Sequence, residues 1–147
     1  MRSIVIVMVI FVICIANADV GWHIAPDDAT KWRMMPTWLG NPSSRASVER
    51  VRVDGIDALR FTIPEPRKGM KWVINARWVN IGRYRYLCIR YLARGFNTNS
   101  EDYFVYINDG IRHRGQPFSL GLTVLHLSQV KSDGKWHWLV ADLQALD

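Results

Sequence analysis

The stretch E-R-V-R-V-D-G-I-D-A-L-R-F-T-I, residues 49–63, indicates the fold class of this chain. Apolar residues alternate with arginines in 49–53, and they alternate with polar residues again in 57–63. A period of two is typical of a strand that buries one face. Asp54-Gly55 stands between the two runs, and this pair is typical of a two-residue hairpin turn whose central residues both take positive φ. The stretch therefore predicts a β-hairpin.

The same period recurs along most of the chain, and no long amphipathic helix is indicated. Clusters of Gly, Pro, Asn and Ser separate the alternating runs, as expected for loops. About eight short strands at such spacing predict an all-β fold, an antiparallel β-sandwich of jelly-roll type. The predicted strands are Lys31 to Met34, 49–53, 57–63, 71–79, 84–94, 102–108, 120–130 and 136–143.

Alternation also assigns residues to the two faces of these strands. In 84–94 it places Leu87, Ile89, Tyr91 and Ala93 on one face. In 136–143 it places Trp136, Trp138 and Val140 on one face, and the other face is apolar too, so a strand buried on both sides is predicted.

The first eighteen residues have the features of a secretory signal peptide. Arg2 is positively charged, an apolar run follows it, and A-N-A at 16–18 supplies the small residues of a cleavage site. The alternative is a membrane anchor, but the run is short for a transmembrane helix of about 20 residues. We therefore expect 1–18 to be removed. The domain at 19–147 would then be secreted or held in the cell envelope, without insertion into a membrane.

The expected mature domain is basic and holds one cysteine. The whole chain has 19 Lys and Arg against 13 Asp and Glu, so the loss of Arg2 leaves a net charge of +5. Cys14 leaves with the signal peptide, and Cys88 alone cannot form an intramolecular disulfide. A positive charge favours an anionic partner such as an acidic polysaccharide. Nucleic acid fits poorly with secretion and with positive charges that are scattered along the chain.

Three stretches carry a resemblance to a known family. They are Y-R-Y-L-C-I-R-Y-L-A-R-G at 84–95, E-D-Y-F-V-Y-I-N-D-G at 101–110 and D-G-K-W-H-W-L-V-A-D-L at 133–143. Their order resembles that of the galactose-binding-like jelly-roll superfamily, which includes many carbohydrate-binding modules. Such folds usually continue beyond the last of these strands, whereas here four residues follow it. We expect either a fold that lacks a closing C-terminal strand or the N-terminal part of a longer protein with further domains.

The resemblance implies a non-catalytic module that binds carbohydrate by aromatic stacking and by hydrogen bonds from basic and amide side chains. The chain has seven tryptophans, and an exposed indole can stack on the C–H groups of a sugar ring. Tryptophans in regularly alternating runs are more often core residues, which applies to 72, 78, 136 and 138. Trp32 and Trp38 lie in a less regular region and are predicted to form the binding platform.

A second candidate site is the basic loop within N-D-G-I-R-H-R-G, residues 108–115. Arg112, His113 and Arg114 could bind a carboxylate, sulfate or phosphate group together. The alternative is a hairpin tip whose charges are simply solvated, which is the commoner case for charged loops.

A structural calcium is a further implication of the resemblance, because related jelly rolls often hold one. Asp27, Asp28 and Asp142 are the candidate ligands, since the terminal strands of such folds lie close together. Calcium needs six to eight oxygen ligands, which these three residues would supply only in part. The alternative, favoured for Asp142, is a carboxylate that accepts hydrogen bonds from backbone or from an arginine.

The sequence gives little support to catalysis. No pair of its four histidines has zinc-binding spacing, and no G-x-S-x-G or glycine-rich phosphate loop is present. Whether the chain is an enzyme stays open, and the absence of these motifs favours a non-catalytic protein. Two alternatives to a binding module remain, namely a structural accessory domain of a larger secreted protein and a polysaccharide-active enzyme.

Overall fold

The computed structural model describes residues 4–14, 20–75, 80, 82–108 and 121–145. This part of the chain is built from strands and short 3-10 helices, so the predicted all-β class is confirmed. The strands are β1 (Ile4–Cys14), β2 (Val20–His23), β3 (Arg33–Met34), β4 (Ser47–Val53), β5 (Ile56–Ile63), β6 (Trp72–Val73), β7 (Tyr86–Arg94), β8 (Tyr103–Asn108), β9 (Gly121–His126) and β10 (Asp133–Asp142). The 3-10 helices are Pro26–Lys31, Pro36–Trp38, Leu127–Gln129 and Leu143–Ala145.

The strands form one large sheet and two small ones. The large sheet has the order β10-β7-β1-β5-β4, and β2 pairs with β1 beyond the end of β5. The small sheets are the pairs β3-β6 and β8-β9. Every one of these pairings is antiparallel. Strands β10 and β4 are therefore the two edges of the large sheet.

Strand β1 falls within the predicted signal peptide. The segment Ile4–Cys14 lies between β5 and β7 and pairs with both of them. Its sequence, IVIVMVIFVIC, is composed mostly of β-branched residues, which favour strands, and a central strand is often continuously apolar. The same composition thus suits a buried strand and the apolar part of a signal peptide. Cleavage and secretion stay predictions.

The predicted hairpin at 49–63 is confirmed. Strands β4 and β5 pair in register from Ser47 opposite Thr62 to Val53 opposite Ile56. The turn residues Asp54 and Gly55 have φ of 52° and 78°, as a two-residue hairpin turn requires. Local sequence therefore determines this part of the sheet.

Replacing Gly55 with alanine is expected to destabilise the chain by about 1–2 kcal/mol, because a Cβ is strained at positive φ. A Cβ at Gly55 would have no atom within 4 Å, so the cost is conformational rather than steric. Gly40→Ala is the matched control, since that site is equally open and its φ is not positive. Urea unfolding measures both variants, and equal losses would contradict the assignment of the turn.

The main core lies against one face of the large sheet, here called the inner face. Tyr91, Ile89 and Leu125 are its largest fully buried side chains. The cluster joins residues of β5, β7 and β10 to residues of β8 and β9. The phenolic oxygen of Tyr91 accepts a hydrogen bond from the backbone N–H of Lys131 (2.8 Å), which satisfies this buried polar group. The pair β8-β9 therefore covers the inner face.

The opposite face of the large sheet, here called the outer face, has a smaller apolar cluster. Ala58 of β5 and Leu92 of β7 are buried there, and partly buried side chains of β4, β5 and β10 pack against them. Strand residues alternate between the two faces, so Leu92 and its neighbour Tyr91 point in opposite directions. The sheet thus carries apolar side chains on both faces.

Several predicted strands are shorter in the structure than in the sequence interpretation, and Lys31 to Met34 is reduced to β3. Of the run 71–79, only β6 is a described strand, and 76–79 lie outside the described residues. The run 120–130 continues after β9 as the 3-10 helix Leu127–Gln129. In the described part of the chain no helix is long and apolar enough to cross a membrane.

Candidate ligand-binding site

Strand β10 presents two large apolar side chains to solvent. Trp138 is 59% exposed and Val140 is 57% exposed, both on the outer face. The prediction that Trp138 is a core residue is therefore wrong. The inner face of β10 is covered through contacts of Leu139 and Ala141 with the main core, whereas on the outer face only Trp136 packs against a buried cluster. Exposed apolar side chains that lie together often mark an interaction site.

Two further side chains complete a constellation that we name the Trp138 surface, defined by Arg90, Trp136, Trp138 and Val140. Arg90 of β7 is the register partner of Trp138, and its guanidinium lies over the ring of Trp136, 5.2 Å from the centroid. The indole N–H of Trp136 donates a hydrogen bond to Asp54 Oδ2 (3.0 Å). Asp54 and Arg90 therefore hold one tryptophan in place beside the other, exposed one.

The chemistry of this surface suits a sugar that bears a negative group. An indole face attracts the C–H groups of a pyranose ring. A guanidinium offers several N–H donors, which match a carboxylate or sulfate group. Among the described residues, no carboxylate forms an ion pair with Arg90, so its charge is available to a ligand. Because the side chains project from paired strands, little ordering would be needed on binding.

The two tryptophans predicted to form a platform differ in their surroundings. Trp32 packs against the main core, and its ring meets that of Phe61 edge to face at a centroid distance of 5.0 Å. Its side chain is only partly buried, so part of the ring is used in packing, and its role as a platform stays a prediction. Trp38, at the end of the 3-10 helix Pro36–Trp38, is 49% exposed.

An open groove of about 650 Å³ lies near Trp38, since Leu39, which follows Trp38 in the sequence, is one of the residues that line it. Its two walls are joined by backbone hydrogen bonds from Ser43 to Gly69 (2.8 Å) and from Gly69 to Asn41 (3.0 Å). Lys68 donates to Asn41, which itself donates to a backbone carbonyl of the opposite wall. Several polar groups of the groove are thus already satisfied. The lining residues are Leu39, Gly40, Asn41, Pro66, Arg67, Lys68, Gly69, Gly95 and Asn97.

The predicted basic loop belongs to a stretch outside the described residues. Arg112, His113 and Arg114 lie outside the described residues, which end at 108 and resume at 121. Their role in binding stays a prediction.

The three candidate calcium ligands each have a basic partner. Asp27 pairs with Arg50, and Asp28 pairs with Lys31 at 2.5 Å. Asp142 accepts two hydrogen bonds from Nε of Arg85, at 2.9 and 2.8 Å, and another from its NH2 group. These basic groups supply the countercharge that a cation would supply. Groups of three or more acidic, His or Cys side chains fit for a metal are absent from the described residues. Calcium binding stays a prediction.

The Arg85 guanidinium beside Asp142 holds the pKa of that carboxyl below its ordinary value, chiefly through the hydrogen bonds between them. A carboxyl with a depressed pKa in the folded state adds stability above its unfolded pKa, which is about 3.9. This stability is lost as the pH falls through the lower folded pKa. Asp28 has a lowered pKa in the same way, chiefly because Lys31 donates a hydrogen bond to it.

Asp142→Asn is therefore expected to flatten the acid limb of the stability profile. The wild-type melting temperature should fall more steeply than that of the variant as the pH is lowered from 5 to the acid range below about 3.9, where Asp protonates. Arg85→Gln is the matched control, because it removes the partner and should flatten the same limb. Parallel profiles for all three proteins would contradict a stabilising role for the pair.

Sequence reasoning missed the Trp138 surface for a definable reason. Residues 136–143 are apolar on both faces, which predicted a strand buried on both sides. The alternation did place Trp136, Trp138 and Val140 on a common face, and the structure confirms that grouping. The local pattern does not show which face of β10 is covered, because this depends on strands that are distant in the sequence.

A scan against protein-family models and searches of curated proteins and solved structures found no match to this chain.

Proposed function

We propose that the chain is a secreted, non-catalytic binding module for carbohydrate, built as a β-sandwich of jelly-roll type. The observation that carries the proposal is the exposed indole of Trp138 beside the guanidinium of Arg90 on two paired strands. Stacking on the indole would supply most of the contact area. Hydrogen bonds from Arg90 would fix the orientation of the sugar.

An acidic polysaccharide is the ligand class that this surface favours. A negative group on the sugar could pair with Arg90 while the ring stacks on Trp138. The whole chain also has a net charge of +6, which raises the local concentration of polyanions. Such attraction is weakened by salt, whereas stacking is much less affected. The two contributions can therefore be separated by ionic strength.

One observation favours a second candidate, a structural accessory domain of a larger secreted protein. The outer face has an apolar cluster of its own, and Val140 adds an exposed aliphatic side chain beside Trp138. A surface of this kind can also pack against another domain. On this alternative the chain would bind no sugar.

Affinity gel electrophoresis of the full chain tests the proposal. The probes are a polyuronate and a neutral glucan, each cast into a native gel. The expected result is retardation in the polyuronate gel that decreases when salt is added. Absence of retardation in both gels, with a cooperative unfolding transition showing that the protein is folded, would contradict the proposal and favour the accessory domain.

A further inference from the structure

Strands β5 and β7 flank β1 and run in the same direction, because each of them is antiparallel to β1. All other neighbours in the large sheet are antiparallel too. Direct pairing of β5 with β7 would require a parallel ladder, which has a different hydrogen-bond pattern. The position between β5 and β7, here called the strand slot, is therefore shaped for one strand that runs opposite to both.

The pairing of β1 within the strand slot is extensive. On one side it extends from Ile4 opposite Ile63 to Met8 opposite Leu59. On the other side it extends along β7 as far as Cys14 opposite Tyr86, with one irregularity between Val9 and Phe11. Without β1, the facing backbone groups of β5 and β7 would lose their partners, which is costly for strands in a sheet.

The predicted cleavage site lies between β1 and β2, after Ala18. A cut there would break the covalent link but would leave intact the backbone pairing of β1 with β5 and β7. The strand pairs β4-β5 and β7-β10 would then be joined in one sheet by a strand that is no longer covalently attached to them. Whether the strand slot stays filled after such a cut then depends on this backbone pairing and no longer on the covalent link.

We propose that the strand slot is a peptide-binding site for one extended apolar segment of about ten residues, the upper end of ordinary strand lengths. Its occupant is the segment Ile4–Cys14 of the same chain. This segment stays bound after the chain is cut between β1 and β2. The site is distinct from the Trp138 surface, so the inference does not depend on carbohydrate binding.

A designed disulfide tests the register of the occupant. Val12 of β1 is the register partner of the native Cys88 in β7. Partners in an antiparallel pair have Cα atoms about 4.5–5.5 Å apart, within the range of disulfides. The full chain with Val12→Cys and Cys14→Ser should therefore form a 12–88 disulfide on mild oxidation. The matched control combines Ile13→Cys with Cys14→Ser and should not form one, because its register partner is Leu87.

Mass spectrometry of the oxidised, digested proteins gives the result. A crosslink in the first variant alone supports the proposal. Absence of the crosslink, or equal yields in the two variants, would overturn it, because β1 would then not occupy the slot in this register.

Retention after cutting is tested in the full chain with a specific protease site in place of residues 15–19. After complete cutting, we expect the N-terminal fragment to co-elute with the remainder at one to one in native size-exclusion chromatography, and to separate in denaturant. Release of the fragment from a remainder that stays folded would overturn the proposal.

A fragment with Val7→Pro should dissociate about tenfold faster or more, since proline lacks the N–H of a ladder position. Equal dissociation rates for the fragments with and without Val7→Pro would also contradict the proposal. If the Val7→Pro protein does not fold, the disulfide experiment tests the occupancy of the strand slot instead.

Discussion

Trp138→Ala is expected to weaken binding of the chain to a polyuronate by about tenfold or more, the change that 1.4 kcal/mol produces. Tryptophan gives a large contact area at low entropic cost and is frequent among the residues that dominate binding. Stability should change by less than about 0.5 kcal/mol, as is usual for surface substitutions. The reason is that the indole is 59% exposed in the unbound protein. Isothermal titration and urea unfolding of the same samples measure the two effects.

Trp38→Ala is the matched control, since it removes a second exposed indole, 49% exposed, that lies elsewhere on the chain. We expect its affinity to equal that of the wild type. Arg90→Gln should weaken binding to the polyuronate and remove much of its salt dependence. If Trp38→Ala weakens binding and Trp138→Ala does not, the ligand site is the groove next to Trp38. The assignment of the Trp138 surface would then be wrong.

The sequence predicted those features that depend on neighbouring residues. The hairpin at 49–63 follows from alternation and from the conformational freedom of Asp54-Gly55. The inner face of β7 was likewise predicted by alternation, which grouped Ile89 with Tyr91, and both are fully buried. In each case the information lies within one short stretch of the chain, a single strand or hairpin.

The features that the sequence did not predict depend on distant pairing. Trp138 is exposed because, among the described residues, the outer face of β10 packs against a buried cluster only at Trp136, and no local pattern shows this. Trp32 was predicted as a platform from its irregular surroundings, yet it packs on Phe61, which is far away in the sequence. The segment Ile4–Cys14 shows the same limit, because one apolar composition suits both a signal peptide and a central strand.

Leu125→Ala is expected to lower the free energy of unfolding by about 3–5 kcal/mol, the upper part of the range for buried leucines. Leu125 is only 2% exposed, and it belongs to the cluster that joins β9 to the inner face of the large sheet. Its loss leaves a cavity that the surrounding strands cannot easily close. Since domains are stabilised by only about 5–15 kcal/mol in total, the variant should be close to unfolding at moderate temperature.

Leu122→Ala provides a control on the same strand with the same change in side chain. Leu122 is 48% exposed, so its replacement should cost less than about 1 kcal/mol, close to the usual range for surface positions. Urea unfolding measures both variants. The comparison requires that the slope of the free energy of unfolding against urea concentration is the same for both. Equal losses would mean that β9 does not bury one face against the large sheet. The inner face, including Tyr91 and Ile89, would then need another cover, because apolar side chains of this size are not stable when exposed together.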